Sequence, residues 1–265
     1  MSSLGVAFDG RAPLSVIPEQ ARVAEAGGAS TLWVASHLFL RDPITTAHLA
    51  LAATTKLRVA LMALSPYSVH PVFIAMAAAA LEEVFPGRVT LCLGVGAPGD
   101  LAAAGIQAPK PLTTMREAIR ICRSLFAGES VRHEGEVFKM GGRRLAGATR
   151  PIPIVLAASG PQMLEMSGVE ADGVLISAAT STPFVRWCLD LAEKSQPKPG
   201  FQRCGIVYTR VGGPDDRVFD SLRRTMGFIL RGAHHAKNLE LAGSKLDQKT
   251  LFEAYAKEDW RTVES

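Results

Sequence analysis

The chain is 265 residues long, 48% hydrophobic and 20% charged, with a formal net charge of +4. That length holds one large α/β domain or two small ones, and that apolar content excludes a disordered chain. The positive residues are scattered and aromatics reach only 6%, which excludes the basic stripe and stacking platform of a nucleic-acid binder.

Strand-like and helix-like runs alternate from the start. Leu4–Phe8 reads as a strand and Ile17–Ala26 as a helix stopped by Gly27-Gly28. Thr31–Ala35 precedes a helical pattern over Pro43–Thr54, and Leu57–Leu64 precedes Pro71–Val84. Val89–Val95 runs into Gly94-Val95-Gly96-Ala97-Pro98-Gly99, which spells G-x-G-x-x-G. A dinucleotide site is a poor reading of that loop. Pro98 has no N–H for a phosphate, Asp100–Gly105 is too short for the amphipathic helix that should start at once, and no second strand ends in an acid about 20 residues later to hold a ribose.

A longer helix is expected over Leu112–Ala127. The Gly128–Arg150 connection is too long for a plain loop, and Ser130–His133 and Glu136–Met140 flank Glu134-Gly135 as the arms of an inserted hairpin. Ile152–Ala158 then resumes the alternation, followed by a helix over Pro161–Gly168. Gly173–Ser177 and Pro183–Lys194 make the next pair, and Arg203–Arg210 with Asp215–Arg231 the last. Pro43, Pro71, Pro161 and Pro183 sit in first helical turns, where a missing N–H costs nothing.

Strands separated by helices imply parallel pairing with right-handed crossovers, and runs apolar throughout suit strands covered on both faces. A doubly wound sheet and a barrel both meet this pattern, and length favours the barrel. The expected fold is therefore α/β, a TIM (β/α)8-type barrel with the 128–150 insertion, read as a single domain over 1–265. Seven strand runs are counted. Only helical or polar material follows, at His234–Ala242, Gln248–Lys257 and Asp259–Ser265, so the last βα unit is expected to be lacking, the end of the usual domain missing or truncated.

No apolar stretch reaches the ~20 residues that cross a bilayer, and the N-terminus has no charged segment ahead of an apolar one. Cys92, Cys122, Cys188 and Cys204 lie far apart without C-x-x-C spacing and read as buried thiols in a reducing compartment. A soluble, cytoplasmic protein is expected, with no metal site. His234-His235 reads as a solvated helix face, and Glu82-Glu83 as helix surface.

In a barrel the working residues stand at the C-terminal strand ends. Here these are Asp9-Gly10-Arg11, Ser36-His37, Met62–Pro66, Gly94–Asp100, Ala158–Pro161, Ser177–Ser181 and Thr209–Gly213, a set poor in paired carboxylates and without a Ser-His-Asp triad. Small residues and bare amides suit a large, flat, phosphate-bearing cofactor better than hydrolysis.

Four stretches carry a family resemblance. They are Leu32–His37 with Arg41-Asp42-Pro43; His70-Pro71 through Pro86-Gly87-Arg88 to Leu93–Gly96; Lys110-Pro111 with Arg116–Ile119, Gly128-Glu129 and Gly135–Phe138; and Pro151–Ile154 through Ala158–Pro161 to Ala171-Asp172-Gly173. Together they resemble the luciferase-like flavin- and deazaflavin-dependent oxidoreductases, in the branch of the methylenetetrahydromethanopterin reductases. The resemblance implies a barrel, often a homodimer, that binds deazaflavin coenzyme F420 or FMN and moves a hydride to or from a small-molecule substrate, a pterin-bound one-carbon unit among them. An FMN-dependent monooxygenase and a non-catalytic scaffold paralogue are the alternatives.

Carried over by position, the resemblance implies a bulge with a non-prolyl cis peptide at Met62-Ala63 that bears the ring. It places Ser65 and Ser36 as cofactor contacts, His37 beside the reacting centre, Gly94 and Gly96 on the ring's rim, and the amides of Ala158, Ser159 and Gly160 at the cofactor tail. Ser36 stands where many relatives have an acid, and Thr180 where some have a basic group. The strand-four acid of some relatives is absent, with Asp100 as a stand-in.

Overall fold

A computed structural model describes residues 3–147, 150–213 and 216–264. The chain divides into two compact units, the first comprising Met1–Ala157 with Glu170–Gly173 and the second Ala158–Val169 with Val174–Ser265.

The first unit contains β1 (Gly5–Phe8), α1 (Ile17–Ala26), β2 (Thr31–Ala35), α2 (Pro43–Ala53), β3 (Arg58–Leu64), α3 (Pro71–Val84) and β4 (Val89–Leu93). The short α4 (Pro98–Ala103), α5 (Pro111–Phe126), the hairpin β5 (Val131–Glu134) and β6 (Lys139–Arg143), and β7 (Ile154–Ala157) complete it. Its sheet runs β1-β2-β3-β4-β7 with parallel pairing throughout. Leu32, Val34, Val59, Leu61, Leu91 and Leu93 are buried along these strands, and Ile74, Met115 and Ile119 bring the helices onto them. Burying such apolar surface is the main stabilising contribution of this layer.

Helix starts follow the local chemistry. The Asp42 carboxylate accepts the Thr45 N–H at 2.6 Å, and the His70 Nδ1 accepts the Val72 N–H at 3.2 Å, ahead of Pro43 and Pro71 in each first turn. Arg88, between α3 and β4, donates to the carbonyls of Leu51, Thr54 and Leu57 and to the Thr54 hydroxyl, tying the end of α2 to the neighbouring strands.

The second unit holds α6 (Pro161–Glu170, its last residue in the first unit), β8 (Gly173–Ile176, its first residue in the first unit), α7 (Thr182–Glu193), β9 (Gln202–Gly205) and α8 (Asp216–Leu230). The helices α9 (Ala236–Leu241), α10 (Gln248–Ala256) and α11 (Trp260–Glu264) follow. α6 and α7 cross at Gly168, where any Cβ would sit 1.9 Å from the Ala192 carbonyl oxygen. α8, α10 and α11 close around Leu251, Ala254 and Val263 with Leu230, Tyr255 and Trp260 against them.

Several expectations shift. A helix does begin within the glycine loop, at Pro98, although it is only six residues long. The second hairpin arm is Lys139–Arg143 instead of Glu136–Met140, because the Glu117 carboxylate holds residues 136–138 as the turn. The last strand stops at Gly205, since Val207, Tyr208 and Val211 beyond it are exposed and have no layer to pair with. Asp215, the first residue of the expected seventh helix, and Ser265 at the expected chain-end segment lie outside the described residues, as do positions 148–149 of the return from the hairpin.

Glu82 is buried at 5% exposure and accepts the N–H groups of Gly87 and Val89, so it folds the α3–β4 turn and is not helix surface. His235 is 2% exposed, its ring 4.4 Å from that of His234, and burial together with the His234 charge pushes its imidazole down to about 4. Only His234 of that pair faces solvent. Cys92, Cys122 and Cys188 are buried and outside any disulfide, as expected, and Cys204 is half-buried. Among the described residues, seven strands lie outside the hairpin, and no helix is long and apolar enough to cross a membrane.

Candidate cofactor site at the strand ends

The loops leaving β1 and β2 are joined. The Arg41 amide donates to the Gly10 carbonyl at 3.3 Å, and its guanidinium to the Arg11 carbonyl at 2.8 Å. Arg11 pairs with Asp9 at 2.9 Å; partial burial opposes ionisation there, but the Arg11 amide and guanidinium outweigh it and hold the Asp9 carboxyl below its ordinary range.

Ser36 and His37 follow directly on β2. The Ser36 amide donates to the Met62 carbonyl at 2.6 Å, which carries the β2–β3 ladder one step past the strand end. The peptide bond that follows, Met62–Ala63, is cis. The β3–β4 register moves from Leu61 opposite Leu91 to Leu64 opposite Leu93, so β3 holds one extra residue at this point. The bulge and its cis bond thus stand where the resemblance placed them.

Beside the bulge, Gly94 leaves a bare Cα. A Cβ there would lie 3.0 Å from the Ala63 Cβ and 3.3 Å from the Ala157 Cβ, so Gly94 is flanked by two methyl groups from β3 and β7. Gly96 takes φ +100°, a left-handed conformation that bends the loop over the Ser65 Cβ and the Leu101 side chain. Ser65 is buried; its hydroxyl donates to the Val95 carbonyl at 2.7 Å and accepts the Tyr67 N–H at 3.2 Å. Its proton is therefore committed to the loop, and toward any further group Ser65 acts as an acceptor.

His37 reaches across from β2 to α4. Its Nδ1 lies 3.6 Å from the Asp100 carboxylate, with the two side chains 49% and 37% exposed. The glycine loop thus delivers a carboxylate to the one histidine at these strand ends, although no G-x-G-x-x-G pattern announces that role.

The hairpin is fastened to the same rim. Glu117 on α5 accepts the N–H groups of Glu136, Val137 and Phe138, Lys110 pairs with Glu136, and the Phe138 ring meets His70 edge-on at 5.3 Å. The Tyr67 hydroxyl donates to the Pro109 carbonyl at 2.6 Å. These links join the tip of the insertion to the loop after β3.

In the second unit, Ala158 is buried and its amide donates to Leu175 at 3.1 Å; Ser159 and the exposed Gly160 lead into α6. The Ser177–Ser181 turn is held by Asn238, whose amide donates to the Ala179 carbonyl and accepts the Ser181 N–H, both at 2.8 Å. Sequence reasoning missed Asn238, because nothing local marks a side chain that acts on a turn more than fifty residues earlier. Among the described residues no group of three or more His, Cys, Asp or Glu is placed to hold a metal ion.

The surfaces at Ala63, Gly94 and Ala157 fit a flat ring better than a bulky polar group. The luciferase-like monooxygenase family model matches residues 4–265. A 5,10-methylenetetrahydromethanopterin reductase of Methanolobus tindarius is 33% identical over 182 residues, which is 69% of this chain and 56% of that protein. The reductase of the same name from Archaeoglobus fulgidus is 29% identical over 251 residues, covering 91% of this chain and 75% of its own length. The coenzyme F420-dependent tetrahydromethanopterin reductase structure from Methanopyrus kandleri superposes with a TM-score of 0.86 at 22% identity, over 99% of this chain and 82% of that one. That likeness fixes the α/β barrel-type fold.

Proposed function

Because the chain belongs to the luciferase-like monooxygenase family, we propose that it is an oxidoreductase that moves a hydride between deazaflavin coenzyme F420 and a small organic substrate, a pterin-bound one-carbon unit being the favoured class. The observation that carries this reading is the bulge in β3 between Leu61 and Leu64 beside the bare Gly94, with His37 on the adjoining strand end. The named activity of the methylenetetrahydromethanopterin reductases supports it.

When bound, the cofactor supplies the hydride chemistry. The rest is the work of this chain. Ala63, Gly94 and Gly96, with the backbone of Met62, give a bearing with no side chain larger than a methyl group to lift a ring from the backbone. Ser36 and Ser65 offer polar contacts at its edge. His37, with Asp100 behind it, holds a hydrogen bond or a proton at Nε2 beside the reacting centre. In the second unit, the amides of Ala158, Ser159 and Gly160 are proposed to bind the cofactor's polar tail. FMN in place of the deazaflavin, with monooxygenation as the outcome, is the second cofactor reading and is settled by the same experiment.

We further propose one functional domain, a cytoplasmic location suited to its free thiols, and a homodimer. The dimer rests on α3, whose outward face carries Phe73, Met76 and Val84 at 63%, 48% and 60% exposure. Monomers rarely leave such a stripe open.

The test is titration of the purified chain with F420 and with FMN, followed by fluorescence, and then turnover with methylene-pterin. Binding of F420 at micromolar concentration is expected. His37→Gln is expected to keep most of that affinity and lose roughly 100-fold in turnover, as removal of a general acid–base group does. No binding of either cofactor at tens of micromolar overturns the enzyme reading.

A further inference from the structure

The helices of the second unit frame one guanidinium with three rings. The Arg231 Cζ lies 4.5 Å from the Phe228 ring centroid, 4.6 Å from Tyr255 and 5.7 Å from Phe252. Its Nε donates to the Phe228 carbonyl at 3.2 Å, which fixes its orientation at the end of α8. Ion pairs in this unit join Lys194 to Glu165, Arg203 to Glu193, Arg223 to Asp220, Arg224 to Glu264 and Lys237 to Glu240. Among the described residues, none brings a carboxylate to Arg231.

The same unit contains the completed form of this arrangement. Arg224, on α8, stacks over the Trp260 ring at 5.0 Å, and its guanidinium is paired with Glu264. Ring and carboxylate both come from α11, four residues apart. Arg231 has its rings and lacks the carboxylate. A stacked guanidinium keeps its N–H edge directed outward in a fork that matches a carboxylate, and rings that displace its water raise the gain from meeting a counter-charge.

We propose that Arg231, with Phe228, Tyr255 and Phe252, is a docking site for an acidic peptide segment of a partner protein, a glutamate or aspartate flanked by apolar side chains. Charge complementarity selects the acid. The apolar flanks follow from Phe228 and Phe252, which are 50% and 55% exposed beside the cation and would be covered by such neighbours. A short segment of α11 already serves Arg224 in this way. The proposal is independent of the hydride-transfer reading.

The experiment uses the full chain and a fluorescein-labelled hexapeptide with one glutamate between two phenylalanines, its glutamine analogue, and benzoate as a competitor, read by fluorescence polarisation. The glutamate peptide is expected to bind at least tenfold more tightly than the glutamine one, and more weakly as salt is raised. Arg231→Gln should remove that discrimination. Arg231→Lys, which keeps the charge but not the fork, should retain part of it, and it carries the test if Arg231→Gln fails to fold by circular dichroism. Equal binding of the two peptides, or discrimination that survives in folded Arg231→Gln, overturns the proposal. So does benzoate binding as tightly as the peptide, which would make this a small-carboxylate site. Arg231-dependent self-association without peptide overturns it as well, by naming a second copy as the occupant.

Discussion

Glu117 shows how much one side chain can organise. Its carboxylate lies in a buried position on α5 and takes three N–H groups from the hairpin turn, at 2.8, 3.2 and 2.9 Å, with the His133 Nε2 3.3 Å away. Burial works against its charge, but the amides of Phe138, Glu136 and Val137 and the His133 ring outweigh it and hold the Glu117 carboxyl below its ordinary 4.5. A carboxyl depressed on folding contributes stability that is fully present above that ordinary value and is lost as pH falls through the folded one. Glu117→Gln should therefore cost about 2–3 kcal/mol at neutral pH, as for a buried, charge-assisted network. The unfolding free energies of the two proteins should converge as pH drops below about 4.5. Urea unfolding at a series of pH values measures both, and a constant gap down to pH 3 would rule the account out. Gly135 belongs to the same construction, since a Cβ there would sit 2.3 Å from the Glu117 carboxylate and 2.4 Å from the His133 ring.

At the scale of elements, the ends of β3, β4 and β7 form one surface because each contributes a residue with almost no side chain. Gly94 is the centre of it. Gly94→Val would place atoms between Ala63 and Ala157 where the first added carbon already lies 3.0 and 3.3 Å from its neighbours. Overpacking of this kind costs ~1–3 kcal/mol. The larger effect is expected on cofactor affinity, with a loss of at least tenfold in the F420 titration. Gly99→Ala is the matched control, because a Cβ at Gly99 meets nothing within 4 Å. Equal affinities for the two variants would place the ring elsewhere.

At the scale of the molecule, α3 carries large apolar side chains on the outside as well as the inside. A helix apolar all round is normally buried, and on α3 the exposed Phe73, Met76 and Val84 recur on the face opposite Ile74, Ala78 and Leu81. Light scattering of the purified chain is expected to give a dimer, and Phe73→Glu a monomer with an unchanged circular dichroism spectrum. A monomeric wild type at tens of micromolar would leave that face to another partner.

The alternation of apolar runs with helical patterns, and prolines in first turns, determined the order of elements from Gly5 to Leu230 by local chemistry, the short α4 excepted. Each such signal lies within a few residues of the structure it specifies, so periodicity and capping suffice to read it. The positions of Ser36, His37, Met62, Ala63 and Gly94 at strand ends were legible in the same way, once the strands were placed. Tertiary structure decided what those residues touch. The approach of Asp100 to His37, the capture of the hairpin turn by Glu117, the burial of Glu82 and His235, and the hold of Asn238 on a distant turn all join segments far apart in the chain. No local pattern encodes them, because a carboxylate or an imidazole acquires its role only when packing brings a donor, a charge or an apolar wall beside it.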